Sequence, residues 1–266
     1  MYQKVRLVTR MVLKPIGIWS ILSILRRMIR IILIRINAAK FTPLSRKMLV
    51  RDYYISKSRK KTKSQFGQDI FIFERIFNCR KTGFFVEVGG NDPIVMSNTF
   101  FFEIEGWEGI SFEPIESICA LWESTRRAKC YPYAIGSSET WIEFDEVSDS
   151  GSDGVLSSVK GFGRLAEHRP TITVKKQMRR LENIFNELDI EHIDILFIDV
   201  EGYELNVLKG INFDKVSIKC ICAETLAFFE YIPFSKKSDE IRTFLRDKGY
   251  ILVANIGGDD IFVYKG

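Results

Sequence analysis

Two hydrophobic segments of the chain end in acidic and glycine residues. The first, at 84–92, reads Phe-Phe-Val-Glu-Val-Gly-Gly-Asn-Asp, and the second, at 193–204, reads Ile-Asp-Ile-Leu-Phe-Ile-Asp-Val-Glu-Gly-Tyr-Glu. A buried parallel strand typically presents such an end to a ligand crevice. Carboxylates placed there can attract a cation, accept hydrogen bonds from hydroxyl groups or take up a proton. The two segments therefore predict a nucleotide-type binding fold with its chemistry at strand ends.

The first segment carries a glycine turn between two acids. Gly89 and Gly90 would let the backbone approach a ligand, and Glu87 and Asp92 supply acceptors beside it. Such a turn commonly binds a dinucleotide pyrophosphate, but the third glycine of G-x-G-x-x-G is absent and two carboxylates would repel a pyrophosphate. The ammonium and sulfonium groups of S-adenosylmethionine fit these acids better. Glu113, 23 residues after Gly90, ends the next predicted strand, where an acid accepts hydrogen bonds from ribose hydroxyls. A tight turn with solvated acids is the alternative.

The second segment supplies candidate catalytic groups. Asp199 is the first choice for a general base or a substrate anchor. If S-adenosylmethionine delivers its methyl group here, an in-line transfer needs alignment and an acceptor for the hydroxyl proton. Glu201 and Glu224 could complete a carboxylate cluster that orients a sugar hydroxyl or holds a divalent cation. Helix capping is the alternative for Glu201 and Glu204, and no metal site is predicted. His168 is a further candidate base near neutral pH, with a surface position before Arg169 as its alternative.

Strand and helix patterns alternate from residue 70 onward. The predicted strands are 84–88, 109–113, 129–134, 194–199, 218–224, 250–254 and 261–264. The predicted helices are 98–105, 115–127, 181–188, 203–209 and 237–248. This alternation predicts an α/β sheet that is mostly parallel and covered on both faces. Two more β-like runs, 140–147 and 171–177, bracket a Ser/Gly-rich loop at 148–163 that is long enough for a lid or a substrate-binding segment.

Several ordered motifs lie between residue 64 and the last residue of the sequence. They are Ser-Gln-Phe-Gly-Gln-Asp at 64–69, Phe-Val-Glu-Val-Gly-Gly-Asn-Asp at 85–92, Ser-Asn-Thr at 97–99, Gly-Trp-Glu-Gly at 106–109 with Glu-Pro at 113–114, and Ile-Asp-Val-Glu-Gly-Tyr-Glu at 198–204 followed by Val-Leu-Lys-Gly at 207–210. In this order they resemble the FkbM-type family of class I S-adenosylmethionine-dependent methyltransferases. The resemblance implies a Rossmann-like sheet of seven strands whose last strand is antiparallel. It also implies O-methyltransferase activity on glycans or secondary metabolites.

The resemblance also implies which residues bind the cofactor. These residues are Glu87, Gly89, Gly90, Asn91, Glu113, Ala134 and Ile135. Those of the first segment would line the methionine and ribose part, Glu113 would hold the ribose, and Ala134 and Ile135 would flank the adenine. The family more often has Asp, Ala and Gly where this chain has Glu at 87, Gly at 90 and Pro at 93. Pro93 has a fixed φ and no N–H donor.

Charge divides the chain into a basic arm and an acidic body. Residues 1–63 hold 17 Lys and Arg against one acid, whereas residues 64–266 hold 22 Lys and Arg against 33 acids. We therefore expect a basic arm and linker at 1–63 and a methyltransferase domain at 64–266. Apolar residues recur at helical spacing in 16–36, and Arg26 and Arg27 interrupt the run. An amphipathic helix on an anionic membrane surface is expected rather than a membrane span, with docking on protein as the alternative.

These observations predict an S-adenosylmethionine-dependent O-methyltransferase that acts on a hydroxyl of a glycan, a lipid-linked sugar or a secondary metabolite. A nucleic-acid methyltransferase that uses the basic arm and a noncatalytic cofactor-binding module are the alternatives. Nucleic acid is the less favoured partner, because the acidic body repels a phosphate backbone. The chain has five cysteines, an odd number without zinc-type or disulfide-like spacing, which favours a reducing compartment. A cytoplasmic location is expected, at the inner face of the membrane if the arm binds lipid.

Overall fold

The computed structural model describes residues 62–148, 156–163, 170–225 and 235–266. Within these ranges the strands are β1 (Phe84–Val88), β2 (Glu108–Phe112), β3 (Lys129–Tyr131), β4 (Ala134–Ile135), β5 (Thr140–Val147), β6 (Ser158–Val159), β7 (Thr171–Arg179), β8 (His192–Ile198), β9 (Ser217–Glu224), β10 (Tyr250–Ile256) and β11 (Asp259–Tyr264). The helices are α1 (Gln68–Phe71), which continues into a π-helical turn (Ile72–Ile76), α2 (Phe100–Ile104), α3 (Glu116–Thr125), α4 (Leu181–Glu187), α5 (Glu204–Lys209) and α6 (Ser235–Asp247). The predicted N-terminal arm lies outside these ranges.

Seven strands form one large sheet in the order β10-β11-β9-β8-β1-β2-β3. The strands β1, β2, β3, β8 and β9 pair in parallel, whereas β11 is antiparallel to both β9 and β10. The central strands are apolar and buried, with Phe85 and Ile195 fully inaccessible. The predicted mixed α/β fold with a large sheet is confirmed, and its last strand is the antiparallel one. The chain proceeds outward from β1 on one side and from β8 on the other, so a crevice is expected at the carboxyl ends of these two strands.

The strand predicted at 129–134 is wrong in one respect, because it is two strands in two sheets. β3 ends at Tyr131, and Pro132 follows with a fixed φ and no N–H to donate to a ladder. The chain then turns, and Ala134 and Ile135 pair with β7 instead of extending the large sheet. The position of Pro132 therefore determines where the chain leaves one sheet for the other.

A second sheet has the order β4-β7-β5-β6. All eight residues of β5 pair antiparallel with β7, which confirms the two β-like runs predicted on either side of the Ser/Gly-rich loop. Phe144 and Met178 are buried, whereas Trp141 on the opposite face is 68% exposed. Alternation of this kind is typical of a sheet with one face packed and one face solvated. β6 brings the end of the Ser/Gly-rich loop back against β5.

The motif at 64–69 forms a closed turn before α1. Asp69 is fully buried, and its carboxylate accepts hydrogen bonds from the backbone N–H groups of Lys63 and Ser64 at 3.0 and 3.2 Å and from the Ser64 hydroxyl at 2.7 Å. These bonds satisfy a buried charge that would otherwise be costly. They also fix where Gln65 and Gln68 lie. Over the ranges that the structure describes, no helix has both the length and the apolarity required to cross a membrane.

Candidate active site

A cavity of about 210 Å³ lies at the carboxyl ends of β1, β2, β8 and β9. Eleven residues that the sequence predicts for the site line it: Glu87, Gly89, Gly90, Asn91, Asp92, Glu113, Ala134, Ile135, Asp199, Glu201 and Glu224. A twelfth candidate, His168, lies outside the described residues. The two acidic segments, about 110 residues apart in the chain, thus meet at one cavity because β1 and β8 are adjacent in the sheet.

Gly89 lies where the ends of three strands converge. Its N–H donates to the Phe112 carbonyl at 2.9 Å, and the N–H of Asp199 donates to the Val88 carbonyl at 3.0 Å. Gly89 has a φ of +85°, and a Cβ at this position would lie 1.8 Å from the Asp199 carbonyl oxygen. The sequence predicts a glycine here so that a ligand can approach the backbone. In the structure, glycine is needed even without a ligand, because a side chain would clash with the backbone that follows β8.

Glu113 is a buried carboxylate that organises the turn after β1. One of its oxygens accepts the N–H of Asn91 at 3.0 Å, and the other accepts the N–H of Ile115 at 2.9 Å. Burial raises the pKa of Glu113 to about 7, although the two N–H donors act in the opposite direction. The Asn91 backbone has a φ of +37°, and its side-chain oxygen is buried without a hydrogen-bond partner among the described residues. This oxygen is an open acceptor at the cavity wall.

Glu87 is the second buried carboxylate at the cavity. It is 2% exposed, and the Thr99 hydroxyl donates a short hydrogen bond to its Oε2. Burial raises the pKa of Glu87 to about 7, while the nearby Arg126 guanidinium acts to lower it. A carboxyl group with a pKa near neutrality becomes fully ionised when a cation binds beside it.

Asp199, Glu201 and Glu224 form the predicted carboxylate cluster, with one oxygen of each within 4.8 Å of the others. Desolvation within the cavity wall and, to a lesser extent, the charge of the neighbouring Glu204 together raise the pKa of Asp199 to about 7. Desolvation and the charge of Asp199 also raise the pKa of Glu224. Three carboxyl groups this close can share a proton near neutral pH or bind a cation through oxygen atoms.

The turn between β8 and α5 holds this cluster in place. Glu201 has a φ of +55°, a left-handed conformation that is uncommon for a non-glycine residue. Glu204 is buried, and its Oε1 accepts the N–H groups of Val200 at 3.3 Å and Gly202 at 2.8 Å. Glu204 thus closes the turn that precedes α5, and the helix itself begins at this residue without a side-chain capping hydrogen bond.

Several cavity residues were not predicted individually. They are Gln65, Gln68, Asn98, Tyr133, Phe144, Leu156, Ser157, Val159 and Tyr203. Gln68 is buried, and its amide donates to Asn98 Oδ1 at 2.8 Å and to Asp259 Oδ2 at 2.7 Å. Gln68 and Asn98 belong to the motifs that carry the family resemblance, so those motifs are the signal that could have indicated them. Leu156, Ser157 and Val159 lie in the loop at 148–163 that was predicted as a lid or substrate-binding segment, whereas Phe144 had no such signal.

The buried acids predict how the stability of the ligand-free protein depends on pH. The pKa values of Glu87, Glu113 and Asp199 are about 7 in the folded chain, whereas carboxyl groups of an unfolded chain titrate near 4. Between about pH 4 and 7 the folded state binds more protons, so its free energy of unfolding falls as the pH rises and levels off by about pH 8. We expect a loss of about 1 kcal/mol per group between about pH 6 and 8, measured by denaturant titration.

The matched variant for this experiment is the double substitution Glu87→Gln and Glu113→Gln. It should lose most of the pH dependence, because the neutral side chains do not titrate. An unchanged slope in the variant would show that other groups cause the effect.

Comparison with known proteins identifies the family. The family model described as the methyltransferase FkbM domain matches residues 87–252. Curated protein sequences gave no match. A Staphylococcus aureus crystal structure, described provisionally as a caffeoyl-CoA O-methyltransferase, shares 8% identity and a TM-score of 0.45, over 90% of this chain and 100% of that one. The structure of a methyltransferase from Geobacter sulfurreducens shares 13% identity and a TM-score of 0.39, over 86% and 94% of the two chains. Because the family model spans more than half of the sequence and includes the acidic ends of both segments, the chain belongs to the FkbM methyltransferase domain family.

Proposed function

We propose that this methyltransferase uses S-adenosylmethionine to methylate a hydroxyl group of a glycan, a lipid-linked sugar or a secondary metabolite. The observation that carries the proposal is the charge of the cavity. Six acids line it, namely Glu87, Asp92, Glu113, Asp199, Glu201 and Glu224, and no Lys, Arg or His does so among the residues that the structure describes. The ammonium and sulfonium groups of S-adenosylmethionine are attracted to such a lining, whereas a pyrophosphate is repelled.

The residues present fit this cofactor. The Asn91 side-chain oxygen is a buried acceptor with no partner in the described part of the chain, and Glu87 lines the same cavity. Ala134 and Ile135 are buried and offer an apolar surface for the adenine, while Glu113 would accept the ribose hydroxyls. When bound, the cofactor would supply the methyl group as an electrophile.

Asp199 is the residue that we assign to proton transfer. Its pKa near 7 matches a general base that works near neutral pH, because such a group is ionised often enough to accept a proton and basic enough to hold it. Glu201 and Glu224 would accept hydrogen bonds from neighbouring hydroxyl groups of the acceptor. A polyhydroxyl acceptor suits three carboxylates within 4.8 Å of one another better than an acceptor with a single polar group.

Strands β5 and β6 and the residues just before β6 form a further part of the cavity wall. Phe144 from β5, Val159 from β6 and the preceding Leu156 and Ser157 line the cavity. We infer that these residues contact the acceptor, since the strand ends carry the residues for the cofactor. The six carboxylates disfavour an acceptor with phosphate next to the reacting hydroxyl, and they disfavour nucleic acid for the same reason.

The proposal is tested by calorimetric titration of the full-length protein with S-adenosylmethionine and, separately, with NAD. The first ligand carries two cationic groups, and the second carries a pyrophosphate. We expect S-adenosylmethionine to bind and NAD not to bind at comparable concentrations. Binding of NAD without binding of S-adenosylmethionine would overturn the cofactor assignment.

We further propose that residues 16–36 attach the enzyme to the inner face of a membrane that carries anionic lipid. Each basic residue near such a surface contributes about 1 kcal/mol, so the double substitution Arg26→Glu and Arg27→Glu should weaken binding to phosphatidylglycerol vesicles more than tenfold (about 1.4 kcal/mol). The control, Lys248→Glu with Lys265→Glu, makes the same charge change at exposed positions of the catalytic domain. Co-sedimentation of the full chains measures both. Equal retention of the two variants would remove the arm as a membrane anchor.

A further inference from the structure

A buried arginine lies behind the wall of the cavity. We infer that Arg126, which follows the last residue of α3, is a positioning residue that fixes the Glu87 carboxylate through the Thr99 hydroxyl. The inference rests on the proposed function, in which Glu87 faces the cationic part of S-adenosylmethionine. Arg126 itself would contact neither the cofactor nor the acceptor, because its side chain is fully buried.

The guanidinium of Arg126 binds the loop between β1 and α2 at several points. It donates to the Pro93 carbonyl at 2.7 Å, to the Ser97 hydroxyl at 3.3 Å and to the Thr99 hydroxyl at 3.0 Å. It also forms an ion pair with Glu103 at 3.2 Å. The loop that it binds includes Pro93, where the family more often has glycine. Arg126 therefore holds, from one buried position, the segment that closes this side of the cavity.

A neighbouring residue of α3 supports the same arrangement. The guanidinium of Arg126 lies 4.2 Å from the centre of the Trp122 ring, a distance at which a cation and an aromatic face attract. The indole N–H of Trp122 donates to the Asn91 carbonyl at 2.8 Å. The ring contact restrains the guanidinium, and the indole N–H binds the start of the loop whose later residues the guanidinium binds.

The Thr99 hydroxyl connects Arg126 to Glu87 through two hydrogen bonds. A hydroxyl group has one hydrogen, and the Thr99 oxygen accepts its bond from Arg126, so its own hydrogen is free to point at Glu87 Oε2. Thr99 is fully buried and Glu87 is 2% exposed, which leaves little room for another orientation. The geometry thus aims a donor at the carboxylate of Glu87 and favours its ionised form.

Charged groups around Glu87 shift its pKa in opposite directions. Arg126 lowers the pKa of Glu87 and Asp199 raises it, and Glu103 offsets part of the charge of Arg126 through the ion pair. Thr99 and the backbone N–H of Asn98 add hydrogen bonds that also lower the pKa. Removal of the Thr99 hydroxyl should therefore raise the pKa of Glu87 and leave less carboxylate to attract a cation near neutral pH.

The experiment compares two ligands in the full-length protein. S-adenosylmethionine carries two cationic groups, and 5′-methylthioadenosine keeps the adenosine and lacks both of them. Thr99→Val has nearly the same shape and removes the hydroxyl, and Arg126→Lys keeps the charge and loses the forked geometry. We expect each variant to bind S-adenosylmethionine about tenfold more weakly and 5′-methylthioadenosine nearly as well as the wild type. The pH at which S-adenosylmethionine binding is half-maximal should shift upward in Thr99→Val.

Arg127→Gln is the matched control. Arg127 contacts the Glu103 carbonyl at 2.6 Å but has no hydrogen bond to Thr99 among those that the structure describes, so both affinities should stay at their wild-type values. If the variants bound both ligands more weakly by the same factor, Arg126 and Thr99 would act only on folding. That result, or wild-type affinity for both ligands, would overturn the inference. If Arg126→Lys does not fold, Thr99→Val decides alone. Failure of the wild type to bind S-adenosylmethionine would instead overturn the proposed function, and the inference with it.

Discussion

Glu113→Gln should weaken the binding of S-adenosylmethionine by about a hundredfold. In the native protein the two carboxylate oxygens accept the N–H groups of Asn91 and Ile115. Glutamine can offer an oxygen to only one of them, so an amide nitrogen faces the other N–H and the turn around Asn91 loses its support. The substitution also removes a negative charge from the wall that faces the ligand. Isothermal titration of the full-length variant measures the effect.

The control for this variant lies at the opposite end of β2, the strand that Glu113 follows. Glu108 is the first residue of β2 and is exposed, so Glu108→Gln makes the same chemical change far from the cavity and should bind as the wild type does. Circular dichroism of both variants establishes that they fold. A folded Glu113→Gln protein with wild-type affinity would show that Glu113 does not hold the cofactor.

Asp199→Asn should retain cofactor binding and lose turnover by about 10²- to 10⁴-fold, the range that a positioned general base contributes. Asparagine keeps the shape of the side chain but cannot accept the hydroxyl proton. Its neutral amide also relieves the repulsion among Asp199, Glu204 and Glu224, so the fold should not be weakened. In the wild type, kcat should fall as the pH drops below about 7, because the pKa of Asp199 is about 7.

Asp189→Asn provides the matched comparison. Asp189 is exposed and has a φ of +53°, a conformation that asparagine adopts as readily as aspartate, and it lies outside the cavity wall. Turnover should be unaffected there. Full activity of Asp199→Asn would assign the proton to another acceptor, and loss of cofactor affinity would place Asp199 in binding rather than in catalysis.

The sequence predicted most of the large sheet because its strands are apolar runs with clear ends. β1 was predicted with its observed bounds, and the acids that follow β1, β2 and β8 were placed at the site because parallel strands deliver their carboxyl ends to one edge. The prediction at residues 129–134 was wrong because the apolar pattern continues past Pro132. Proline has no N–H to donate to a neighbouring strand, so β3 ends before it. A pattern of apolar residues does not show which sheet a strand joins.

Other parts of the site depend on contacts that no local pattern encodes. Gly89 was predicted for a ligand, yet the atom nearest to its missing Cβ is the carbonyl oxygen of Asp199, a residue 110 positions away in the sequence. Arg126 follows an ordinary amphipathic helix, and nothing in its neighbours indicates that its guanidinium reaches Pro93 and Thr99. The contribution of Phe144 required knowing that the second sheet lies against the cavity.

The most direct test of the account is to supply methyl-labelled S-adenosylmethionine to the purified protein together with separate lipid, glycan and RNA fractions of the host, and to measure where the label goes. We predict label in the lipid or glycan fraction, transferred by the wild type and by Asp189→Asn but not by Asp199→Asn. Label in RNA would contradict the proposed acceptor. Absence of label in every fraction, from folded protein that binds the cofactor, would contradict catalysis on a hydroxyl of these fractions and support a noncatalytic cofactor-binding module.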